Sequence, residues 1–132
     1  MNIKLCDIET GQVLRNYTVQ KNGFYCFTLS PDGKSFLSSG DSSIILWDIT
    51  TGKKLKSFTG DREDVTRLTF SPDGKFFISE TFPGSPNNSI DSVENNLKLW
   101  NIATGKEVNS FKVDKYWVTR WPTMISFYPD GK

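Results

Sequence analysis

The pentapeptide SPDGK occupies residues 30–34 and recurs, letter for letter, at 71–75, and YPDGK fills 128–132. The step from Ser30 to Ser71 is 41 residues. A second phrase keeps the same period: LCDIETG at 5–11, LWDITTG at 46–52 and LWNIATG at 99–105, with Cys6 and Trp47 again 41 apart. Two unlike phrases on one period restrict the chain to an array of similar units, each a supersecondary element stacked on its neighbours. The step from Trp47 to Trp100 is 53, which is 12 longer. That from Trp100 to Tyr128 is 28, against 24 from Trp47 to Ser71. The last unit therefore carries two insertions.

Both phrases are turns. In PDG the proline presets φ at the first central position, aspartate suits the second, and glycine takes the positive φ that follows. TG after DI or NI is a second glycine-ended hairpin turn. Between the turns lie VTRLTF at 65–70, KFFIS at 75–79, SIILWDI at 43–49 and KKLKSF at 53–58. Their length and their aromatic and β-branched content are those of strands, and no stretch has a helical period. Each unit is expected to be an antiparallel meander of four strands, a, b, c and d, with no helix longer than a turn or so.

A four-stranded unit of this length is what a propeller blade needs. VTRLTFSPDGKFFIS followed by LKLWNIATGK resembles the WD-repeat β-propeller family, and the resemblance extends over nearly the whole chain. It implies an all-β fold of antiparallel four-stranded blades. It also implies a structural network in which the family tryptophan falls on Trp47 and Trp100, the strand-b serine on Ser38 and Ser79, and the acidic residue of the b–c turn on Asp41 and Glu94. In the first copy Cys6 replaces the tryptophan, and the family's histidine before strand a is absent from all three positions where it would fall.

The expected layout is strands c and d of an incomplete blade at 3–18, a blade at 24–59, a blade at 65–113 with a long b–c loop at 80–96, and a first strand and turn at 122–132. Two, four, four and one strands make eleven, too few to close a ring of four or more blades. The sequence thus reads as a fragment of a larger propeller, its missing blades supplied by the rest of a longer chain or by another protomer. Strand c at 3–8 and strand a at 122–127 are each expected to leave an unpaired edge, which disfavours a closed, stable monomer.

Composition narrows the function. Sixteen Lys and Arg against fifteen Asp and Glu leave a formal charge of +1, with no footprint for nucleic acid or an anionic membrane. The chain has no histidine and two cysteines, Cys6 and Cys26, expected to be two buried thiols rather than a disulfide or a zinc site. Without histidine the commonest general base is missing, which turns the reading away from an enzyme. No catalytic residue, metal site or cofactor is assigned. The start, MNIKLCDIETG, lacks the apolar core of a signal peptide, so a cytoplasmic location is expected. Lys53, Lys54 and Lys56 fall on strand d, where lysines protect an outer edge against strand pairing.

In a meander the a–b and c–d turns share one face, and the b–c and d–a loops share the other. The longer insertion lies within 80–96 and the shorter within 114–122, so both fall on the second face. The 114–122 loop carries Tyr116, Trp117, Arg120 and Trp121, residue types enriched in interface hot spots. The leading expectation is a protein–protein interaction module, scaffold or sensor region of a larger protein, with a protein partner. The alternatives are a purely structural propeller segment, or part of an enzymatic or cofactor-bearing propeller.

Overall fold

The computed structural model describes residues 2–18, 24–40, 43–59, 65–81, 95–113 and 125–130. Among them are ten strands and no helix: β1 (Asn2–Cys6), β2 (Val13–Thr18), β3 (Phe24–Leu29), β4 (Ser35–Gly40), β5 (Ser43–Asp48), β6 (Lys54–Thr59), β7 (Val65–Phe70), β8 (Phe76–Thr81), β9 (Asn95–Asn101) and β10 (Glu107–Val113). They form a two-stranded sheet β1-β2 and two four-stranded sheets, β3-β4-β5-β6 and β7-β8-β9-β10. Every pairing is antiparallel, and strand order follows chain order within each sheet.

The turns explain why the meander repeats so closely. After β3 and again after β7, a serine hydroxyl donates to the PDG aspartate, Ser30 to Asp32 and Ser71 to Asp73, both at 2.6 Å. The same carboxylates accept the Lys34 and Lys75 amides at 3.0 Å. These bonds to the ionised form hold both carboxyls below their usual range, the serine hydroxyl being the largest cause. At the other turn Asp48 accepts the Thr51 amide at 2.6 Å and the Thr51 hydroxyl at 2.8 Å. Asp7 does the same for Thr10, at 2.7 and 2.9 Å. Aspartates two or three residues upstream of an amide thus fix both turn types locally.

Two strand ends differ from the sequence reading. The strand expected at 3–8 stops at Cys6, because Asp7 is committed to its turn with Thr10. Of the strand expected at 122–127, the described residues Ile125–Phe127 carry no ladder pairing. Ile125 contributes only a carbonyl that accepts the Thr69 hydroxyl at 3.5 Å. An extended segment is held by its ladder, and no described strand lies beside this one in register.

The core sits in the seams between sheets. Leu37, Ile44, Leu46 and Phe58 of the first four-stranded sheet pack with Val65, Leu68, Phe70, Phe77 and Trp100 of the second. Tyr17 on β2 packs with Phe36, Ile45 and Trp47 in the same way. The sequence expectation of two buried thiols is half right. Cys26 is partly buried and Cys6 is exposed, and both are free. Cys6 stands where Trp47 stands in the next unit, but among the described residues its sheet is β1-β2 alone.

Candidate functional site

Each four-stranded sheet contains one buried indole with one acceptor. Trp47 Nε1 donates to Ser38 Oγ and Trp100 Nε1 to Ser79 Oγ, both at 2.9 Å. Register places them, since β4 lies beside β5 with Phe36 opposite Trp47, and β8 beside β9 with Phe77 opposite Trp100. Each indole stacks on that phenylalanine, with interplanar angles of 10° and 8°. A buried indole N–H needs a partner, and the serine two residues after the phenylalanine supplies it. Ser79→Ala takes this acceptor from the Trp100 N–H and should cost about 1–3 kcal/mol, and the double variant Ser79→Ala with Trp100→Phe should cost less than the two single losses added. Urea unfolding of the two single variants and the double variant measures the difference.

The seam is stitched from the preceding unit's last strand. Tyr17 meets Phe36 edge-on at 4.9 Å, and Phe58 meets Phe77 edge-on at 4.8 Å. Tyr17 also donates its hydroxyl to the Ile49 carbonyl at 2.7 Å, and its burial there raises its pKa. Two residues earlier on the same strands a long cation crosses the seam. Arg15 donates to the Thr51 carbonyl at 3.2 Å, and Lys56 Nζ to the Ile102 and Ala103 carbonyls at 2.8 and 2.6 Å. Lys56 therefore does more than guard an edge. The glycines beneath these cations are doubly constrained. Gly52 and Gly105 have φ of 71° and 73°, and a Cβ there would come within 3.2 Å of Arg15 Cδ and 3.3 Å of Lys56 Cδ.

On the inner strands, Cys26 and Ser39 make a small cluster that also crosses the seam. Ser39 Oγ donates to the Val65 carbonyl at 3.0 Å and lies 3.2 Å from Cys26 Sγ. Burial pushes the Cys26 thiol up to about 11, partly offset by the Ser39 bond. A thiol held neutral is unreactive. Cys6 should therefore react with a chromogenic disulfide at once at pH 8, and Cys26 only after denaturant is added. Two equally fast equivalents would contradict the seam packing. Further along the second sheet the buried Glu80 carboxylate lies 3.6 Å from Arg67 Nη1, a nitrogen that makes no hydrogen bond among the described residues. At its outer side Lys98 sits 5.9 Å over the Trp100 ring and 3.6 Å from the Glu107 carboxylate.

The turns of the two four-stranded sheets gather at one end. A groove of about 360 Å³ runs between them, with Pro31 and Asp32 on one wall, Pro72 and Asp73 on the other, and Phe70 and Ile102 beneath. Within each sheet the two turns are tied together by Ile49 N donating to the Lys34 carbonyl and Ile102 N to the Lys75 carbonyl, both at 3.0 Å. The a–b and c–d turns thus share a face. A repeated four-stranded meander, a buried Trp–Ser pair in each copy and an aromatic wedge from the preceding copy together decide the architecture. A family model for the WD domain, G-beta repeat, matches residues 11–48 and 52–101.

The chain belongs to the WD-repeat family.

No curated protein matches it. Its two four-stranded antiparallel sheets are consistent with WD-repeat propeller blades. WD repeats generally mediate protein–protein interaction or scaffolding and are typically non-enzymatic. Of the six residues the sequence assigned to the structural network, Ser38, Trp47, Ser79 and Trp100 form the two pairs described above. Asp41 and Glu94 lie outside the described residues, as do the candidate binding residues Tyr116, Trp117, Arg120 and Trp121. Sequence reasoning missed the cross-seam residues Arg15, Tyr17, Lys56 and Phe58. A signal was available, because Arg15 to Lys56 and Tyr17 to Phe58 are steps of the same 41-residue period.

Proposed function

We propose that this WD-repeat chain is a protein-binding module whose partner engages the face opposite the PDG turns. One observation supports that face above all. Thr81 pairs with Asn96 and Val113 with Asn95, so β8, β9 and β10 have those ends together, away from Pro72 and Ile102 at the groove. The long segments 82–94 and 114–124 therefore depart from one end of one blade. The blades they leave are locked by aromatic wedges, and connections on a rigid scaffold are where recognition residues concentrate.

In this reading Tyr116, Trp117 and Arg120 are anchors, with Trp121 beside them, and the Ser-, Asn- and Pro-containing segment 82–94 is an adaptable flank. The partner is a protein, and no nucleic acid, membrane or cofactor has a part. With a partner in hand, Trp117→Ala and Arg120→Ala should each weaken binding by about 2 kcal/mol or more while leaving the melting temperature nearly unchanged. Lys54→Ala on exposed β6 should alter neither. Unfolding by the loop substitutions would make these aromatics core residues and overturn the assignment.

A further inference from the structure

We propose that the groove between the turns at Asp32 and Asp73 receives an arginine side chain of a partner protein. Its walls are fixed by the direct approach of one blade to the next. A Cβ added at Gly74 of the second blade would stand 3.7 Å from Pro31 Cδ of the first. At Gly33, the same place in the repeat, it would meet nothing within 4 Å. Lys56 of the first blade also holds the turn that carries Ile102, through its bonds to the Ile102 and Ala103 carbonyls. The space enclosed is about 360 Å³. That is the small end of the roughly 300–1,000 Å³ range of ligand sites, and it suits one long side chain better than a folded element.

Two chemistries meet in this space. Leu46, Phe70 and Ile102 give it an apolar floor, and Pro31 and Pro72 add apolar walls. Asp32 and Asp73 come from opposite walls, and no Lys or Arg lines the groove among the described residues. Each aspartate commits Oδ1 to its own turn, accepting a serine hydroxyl at 2.6 Å and a lysine amide at 3.0 Å. Those bonds, the serine's above all, hold both carboxyls below their usual range, so both are anionic at neutral pH. Asp73 Oδ2 lies 3.6 Å from Lys75 Nζ, but that lysine is 75% exposed and such a pair is weak. One oxygen on each wall therefore remains for a ligand.

The occupant follows from these limits. An apolar floor beneath two anions calls for a hydrocarbon stem that ends in a cation. An ammonium is compact and strongly hydrated. A guanidinium is flat and weakly hydrated, and its five N–H donors spread in one plane, so it can address acceptors on two walls at once. WD repeats generally mediate protein–protein interaction, which makes the bearer of that side chain a polypeptide. This contact lies at the other end of the blades from the binding face proposed above and does not depend on it.

The test titrates the whole 132-residue protein with an arginine tripeptide, glycine on either side and both ends blocked, and follows the backbone amide spectrum. Saturable shifts are expected at Asp32, Gly33, Asp73, Gly74 and Ile102, with a Kd in about the millimolar range. The citrulline peptide keeps the shape and loses the charge, and should bind about tenfold more weakly or not at all. The lysine peptide should fall between the two. Asp32→Asn and Asp73→Asn each keep an oxygen for the serine hydroxyl and the lysine amide, so the turns survive, as the melt will show. Each should weaken arginine binding about tenfold. If either variant unfolds, the peptide series decides alone, because it acts on unaltered protein. Absence of saturable binding, binding indifferent to both substitutions, citrulline or lysine bound as tightly as arginine, or shifts centred away from these turns would each overturn the proposal.

Discussion

Phe77→Ala should destabilise the chain by about 3–5 kcal/mol, read as a lowered urea midpoint at unchanged slope. Phe77 is fully buried, lies flat on Trp100 with centroids 5.9 Å apart, and receives Phe58 edge-on at 4.8 Å. Removing the ring takes away its transfer free energy and leaves two aromatic neighbours facing a cavity that a rigid sheet cannot close. Phe111→Ala on β10, where the ring is half exposed, should stay within about 0.5 kcal/mol. A loss below about 1 kcal/mol for Phe77→Ala would mean that the stacked pair is not the core of its blade.

Phe58→Ala should cost a similar amount, about 3–5 kcal/mol, by a different route. The residue belongs to β6, at the edge of the first four-stranded sheet, yet its ring is buried between Phe77 and Trp100 of the second. Truncating it leaves both ladders intact and removes the wedge between them. Amide protection should therefore fall first at the seam, on β6 and β8, while the pairing of β4 with β5 keeps its own. Uniform loss of protection across both sheets would show that blade and seam are a single cooperative unit.

These variants separate what could be read in the sequence from what could not. The turns were legible because their chemistry is local: an aspartate that accepts amides two or three residues on, and a glycine at positive φ, need nothing distant. The alternating runs placed β7 as Val65–Phe70 and placed β5 and β6 to within a residue at each end. Trp–Ser placement was implied by the WD-repeat resemblance, and the register of adjacent strands in a tight meander brings the two residues together. The seam was harder. Which strand faces the next blade depends on how twisted sheets stack, and Lys56 looks like any edge lysine until Ile102 and Ala103 are beside it. Cys6 misled for a related reason. A small apolar residue at a core position is buried only if the neighbouring strand is present. The residues best suited by type to bind a partner lie in 114–122, a stretch whose sequence has no period to place it.

The wedge has one more consequence, which concerns modularity. Because Tyr17 and Phe58 occupy the same phase, and Arg15 and Lys56 likewise, the two described seams are cut to one template. The piece that travels as a unit is therefore offset from the sheet: a blade's first three strands together with the last strand of the blade before it. An in-phase excision of residues 24–64 would bring Tyr17 against Phe77 and Arg15 against the turn at Ile102, so the shortened array would find its joints already cut to fit. Excision out of phase would strand an aromatic with no socket. Blades of this kind can be added, lost or exchanged at a junction that falls inside the sheet, with the repeat boundary seen in the sequence marking a convenient phase rather than a physical joint.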